Sequence, residues 1–131
     1  MRSNVHVVTC MVLLLAASGC SRQVSFSEEV KPILRDNCMK CHDGGGEGSS
    51  KSEFKVNTYD DVMKGTKFGK VVIPGDSESS TLYRLVAHKA GTEIQMPPHH
   101  SETRASEMLE PLPAEQIDII KMWIDQGAKN N

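Results

Sequence analysis

Cysteine is scarce in this chain, and its pattern leaves none for a structural bridge. Of four cysteines in 131 residues, Cys10 lies in an apolar N-terminal run and Cys20 follows Ser18-Gly19. Only Cys38 and Cys41 remain, two residues apart, so a disulfide-stapled scaffold is ruled out. Aromatic residues make up 5 % of the chain, and hydrophobic residues 38 %, part of them in the N-terminal run. A domain of this size with so few large side chains is marginal by itself. A large apolar group at its centre would complete the core. Basic charge is not in excess either, with 15 Lys and Arg against 17 Asp and Glu. This argues against nucleic acid, which selects basic patches.

No apolar run is long enough to span a bilayer. Arg2 gives a short positive n-region, and Val7 to Ala17 is apolar and uncharged. That length fits a signal h-region rather than a spanning helix. Ala17-Ser18-Gly19-Cys20 then resembles a bacterial lipobox, with Ala17 where leucine is more usual. The expected organisation is a lipoprotein signal peptide over 1–19, a tether anchored by lipid on Cys20 over 20–25, and one domain over 26–131. Localisation on the periplasmic or cell-envelope face of a membrane follows from that reading.

The domain reads as all-α. A helix is expected near Ser27, with Glu28 and Glu29 in its first turn, where the helix dipole favours acids. Phe26, Val30, Ile33 and Leu34 share one helical face. Pro32 is tolerable only within the first turns, and the helix runs into Cys38. Residues 43–52, DGGGEGSSKS, read as a flexible loop. Thr58 to Asp61 reads as a capping box for a short helix that Gly65 ends. Asp76 or Ser77 is predicted to cap a helix bearing Leu82, Leu85 and Val86, and residues 88–112 are mostly loop. A last helix is expected from about Ala114 to Gln126, with Ile117, Ile120, Trp123 and Ile124 inward. No repeat is visible.

The stretch CMKCH, residues 38–42, carries the chemistry. Structural zinc needs four ligands, and Cys38, Cys41 and His42 offer at most three. A thioredoxin-like pair sits after a strand at a helix N-terminus, whereas this pair ends a helix. The third reading is c-type haem attachment. Two thiols at this spacing can add to the two vinyl groups on one porphyrin edge, and the next residue then lies under the iron as an imidazole ligand. The export signal agrees with haem attached outside the cytoplasmic membrane. The bare chain should then carry a hollow beside His42.

Carriers that only move electrons usually close the sixth iron position, often with methionine. Met39 lies inside the motif, Met63 and Met122 within helices where core packing is usual, and Met108 in a charged stretch. Met96 differs, because Pro97 and Pro98 follow it, restrict it to extended backbone and stiffen the loop. It is the favoured second ligand, with His88, His99 and His100 as competitors. Arg84 is a candidate propionate contact, against a plain solvated role. Trp123 is a candidate for packing on the haem, although packing against the first helix is the simpler role.

The helix, CMKCH, the glycine-rich loop, VIPGDSESSTLYRLV, QMPP and LPAEQIDIIKMWIDQGA together resemble the planctomycete-type cytochrome c domain, a branch of the class I cytochromes c. The resemblance covers roughly Val24 to Ala128. It implies a small cytochrome c-like fold whose N- and C-terminal helices pack around the cofactor. It implies one haem c bound covalently to Cys38 and Cys41, iron ligation by His42, and Met96 as second ligand. Two features depart from the family: Leu112 stands before Pro113 where a serine or threonine cap is common, and the loop from His99 to Pro111 is long and charged. The expected function is an exported mono-haem, one-electron carrier exchanging electrons with partner proteins, not an enzyme, without nucleic acid. The alternative is a haem enzyme or sensor with an open sixth position.

Overall fold

Ser25 opens the first helical element of the computed structural model, which describes residues 22–98 and 110–131. Its hydroxyl accepts the Glu28 amide at 3.2 Å, and Glu29 returns a carboxylate to the Ser25 amide at 3.0 Å. These two bonds satisfy donors that a helix start leaves unpaired, so the helix begins at Phe26, next to the expected Ser27. The first turn, Phe26–Val30, is π-helical and passes into α1, Lys31–His42. Pro32 enters at the start of α1. It brings no amide hydrogen and needs room beside the preceding turn, which a widened π turn provides. The predicted face is buried, with Phe26, Val30, Ile33 and Leu34 all inside.

The DGGGEGSSKS segment is a correction to the sequence reading. It is not a loop throughout, because Glu47–Ser52 forms a short helix, α2. Asp43 sets it up: its carboxylate accepts the Gly45 and Gly46 amides, both at 2.8 Å. Those bonds turn the chain straight back from the end of α1 and hold the Asp43 carboxyl below its ordinary pKa. Residue composition signals flexibility; one well-placed acceptor removes it.

Thr58 caps α3, Tyr59–Lys64, by accepting the Asp61 amide at 3.1 Å, and Gly65 ends the helix at φ +85°. α4 is Thr81–Val86, starting later than expected. Asp76 accepts the Ser79 amide at 3.0 Å and so closes a turn rather than capping a helix. A 3-10 turn follows at Thr92–Ile94. The last helix, α5, is Ala114–Asp125, and Pro113 before it offers no side-chain cap. Its end is a Schellman motif: Gly127 at φ +99° lets Ala128 donate to Trp123 at 2.8 Å and Gly127 to Ile124 at 2.9 Å. Among the described residues there is no strand, only an isolated bridge between Thr66 and Gly69. No described helix is long and apolar enough to cross a membrane.

α5 packs on the π turn and on α4. Ile120, Trp123 and Ile124 are fully buried, Ile117 is half-buried, and Met122, expected to pack in the core, is exposed. Trp123 lies 5.5 Å from Phe26 and 6.5 Å from Tyr59, while Phe26 and Tyr59 meet edge-on at 5.2 Å. Three of the six aromatic rings thus meet at one place. The C-terminal residues are tied to the first helical turn there too: Asn131 accepts the Phe26 and Ser27 amides, each at 2.9 Å, and Gln126 accepts the Val24 amide at 2.8 Å.

Candidate cofactor site

The end of α1 delivers Cys38, Cys41 and His42 to one cavity of about 540 Å3. That is a volume usual for sites of small organic ligands. Leu82, Leu85 and Val86 of α4 line it, as do Phe54, Val71 and the segment Met96-Pro97-Pro98. Met96 is tethered there by its own amide, which donates to the Leu85 carbonyl at 3.3 Å. The hollow expected beside His42 is present, and its walls are mainly apolar. Charge stands at its edge, on the exposed side chains of Lys40, Glu47, Lys51 and Glu93, with Lys51 and Glu47 paired at 2.6 Å.

His42 is half-buried, with Nδ1 3.1 Å from the Phe54 carbonyl oxygen. A carbonyl can only accept, so Nδ1 carries the proton and Nε2 keeps its lone pair. Burial lowers the His42 pKa, and the bond to Phe54 opposes this in part. The ring is therefore neutral at neutral pH, the form that binds a metal. The Phe54 ring meets it edge-on at 5.3 Å. Burial, with the adjacent Cys41, pushes the Cys38 thiol up to about 12. Both thiols are unbridged.

Two glycines permit close packing behind the motif, and composition alone did not single them out. A Cβ on Gly46 would fall 2.7 Å from the Cys41 carbonyl carbon and oxygen. One on Gly48 would fall 2.5 Å from His42 Cε1 and 2.7 Å from Nε2. Only glycine permits this approach, and the space it leaves is beside the nitrogen that would bind a metal. A glycine run directly after the motif is a visible signal of such contact. Ser49 and the Phe54 carbonyl leave no comparable trace in the sequence.

Other candidates lie elsewhere. Arg84 is exposed and does not line the cavity. Trp123 is in the core, its indole donating to the Lys129 carbonyl at 2.9 Å, and it too is absent from the cavity wall. Met39 and Met63 pack against the core instead. His88 is exposed, at φ +56°. Cys10, Cys20, His99, His100 and Met108 lie outside the described residues.

The donor set fits a haem. Two thiols, a neutral imidazole with a free lone pair and a thioether border one apolar hollow, and no side chain on Gly48 obstructs the imidazole. The family model for planctomycete cytochrome C matches residues 38–100, from the first motif cysteine onward. Residues 38–100 are thus similar to the planctomycete cytochrome C family. A domain of this family is a haem-binding, electron-transfer unit. The match spans slightly under half of the chain, so most of α1 and all of α5 lie outside it. No curated protein and no solved structure matches.

Proposed function

We propose that this protein is an exported mono-haem c-type cytochrome that carries single electrons between partner proteins. The convergence of Cys38, Cys41, His42 and Met96, drawn from two separate segments, on one apolar cavity carries the reading. In it, Cys38 and Cys41 would hold the porphyrin through thioether links, His42 Nε2 would ligate the iron, and the Met96 thioether would supply a second ligand. A haem held this way supplies a one-electron couple, tuned by its ligands and burial.

The chain's own groups do the rest. The Phe54 carbonyl orients His42 and keeps its proton on Nδ1. The Leu85 carbonyl restrains the Met96 backbone. Leu82, Leu85, Val86 and Val71 exclude water, which lowers the local dielectric. Lys40 and Lys51 stand at the cavity edge where they can meet propionates, in place of Arg84. The lipobox at Cys20 supports a cell-envelope location with a lipid anchor. The mildly acidic composition argues against a nucleic-acid partner.

The deciding experiment is a pyridine haemochrome spectrum of the exported protein after denaturation. Haem should remain attached and show the α-band of a reduced c-type centre. Replacing both Cys38 and Cys41 with serine should abolish that attachment. Haem that stays covalently bound in the double variant would sink the assignment.

A further inference from the structure

Ser49 is 4 % exposed, although it belongs to a glycine and serine segment at the surface. A buried hydroxyl needs partners, and this one has two. The Gly44 amide donates to Oγ at 3.0 Å, and the hydroxyl donates to the Phe54 carbonyl at 2.9 Å. The direction follows from the partners, since an amide N–H only donates and a carbonyl only accepts. The same Phe54 oxygen takes the Nδ1 proton of His42 at 3.1 Å. One peptide oxygen therefore spends both lone pairs, one on the hydroxyl and one on the imidazole. The backbone of Ser49 contributes as well. Its carbonyl accepts the Glu53 amide at 2.7 Å, where Glu53 bends the chain at φ +61° just before Phe54.

We propose that Ser49 is a positioning residue, holding the Phe54 carbonyl on His42 Nδ1 and so fixing the tautomer and ring direction of that imidazole. This rests on reading His42 as the axial ligand. Without the hydroxyl, the Phe54 oxygen loses one of its two anchors and can turn toward water. The Nδ1 proton then loses a fixed acceptor. An outer partner of a ligating histidine sets its orientation and raises its basicity, so weakening that partner makes the imidazole a poorer donor to ferric iron.

The test uses the haem-loaded full chain with Ser49→Ala, Ser49→Thr and Ser49→Val. Threonine keeps the hydroxyl and valine replaces it with a methyl of the same shape, so the two add equal bulk. Proton NMR of the reduced, diamagnetic protein reads solvent exchange of the His42 Nδ1 proton, and voltammetry reads the midpoint potential. The threonine variant should match the wild type. The valine and alanine variants should exchange several-fold faster, with a raised potential. Valine and threonine variants alike in both readouts would overturn the proposal, and this pair decides it even if the alanine variant fails to fold. A wild type without covalent haem would instead defeat the ligand reading. The 15N shifts of His42 in the haem-free chain would then decide for Ser49: a mixed tautomer in the valine variant alone upholds its role, and one tautomer throughout overturns it.

Discussion

At the scale of single residues, Met96 and His42 carry different kinds of information. Met96 borders the cavity and is held by its amide to Leu85. Met96→Ala should change the spectra of both oxidation states and lower the midpoint potential, because a thioether favours the ferrous iron more than water or imidazole does. Unchanged spectra and potential would exclude Met96 as a ligand and favour an open sixth position. His42 bears on stability. Its pKa in the folded, haem-free chain lies below the ordinary 6.5. Below that pH the unfolded chain takes up a proton that the folded chain refuses, so stability falls as pH drops from 6.5 toward the lowered value and is unaffected above it. Urea midpoints of the haem-free protein from about pH 8 down to about pH 5 should show this slope, and His42→Gln should flatten it. The same slope in the glutamine variant would assign it to another group. Cys38, Cys41, His42 and Met96 could be singled out in the sequence because their chemistry depends on residue type and spacing, and the fold brings all four to one cavity. Arg84 was left between a propionate contact and a solvated face, since an arginine on a short helix gives no sign of which side faces a cavity; the fold leaves it exposed.

At the scale of elements, α2 shows what composition conceals. Glycine and serine predicted flexibility over 43–52, yet Asp43 and Ser49 fasten the segment from both ends. Gly48 lets α2 approach the imidazole. Gly48→Ala should cost about 1–3 kcal/mol and reduce covalent haem per chain, measured by thermal melting and by haemochrome absorbance. Gly45→Ala is the control, because its Cβ would meet only the Asp43 carboxylate at 3.8 Å. Equal loading of the two variants would show that the approach of α2 does not matter. The capping box at Thr58, the stop at Gly65 and the inward stripe of α5 were legible, because caps and periodicity act within a few residues. The later start of α4 was not, because Asp76 and Ser77 read as better caps than Ser80, which precedes the helix without a side-chain cap bond.

At the scale of the whole molecule, a thin core is divided between two tasks. Phe26, Tyr59 and Trp123 close one part by packing, and Asn131 ties the C-terminal residues to the first helical turn there. The remaining apolar side chains of α4 and the motif end of α1 surround the cavity instead. A bound group of matching size would complete the core that composition showed to be incomplete. Attachment to a membrane belongs to this scale too. Cys20→Ala should move the protein from the membrane fraction to the soluble fraction of exported proteins, assayed by fractionation. Retention in the membrane would reject the lipid anchor. By itself the sequence determined the helical class, the attachment motif and the second-ligand candidate, because these rest on local periodicity and on the chemistry of particular side chains. Only the tertiary structure decided that Trp123 lies in the core rather than on the cavity wall, that Gly48 approaches His42 and Ser49 shares the Phe54 carbonyl with it, and that Lys40 and Lys51 rather than Arg84 stand at the cavity edge. Those assignments depend on which surfaces meet across the fold, and no spacing along the chain encodes that.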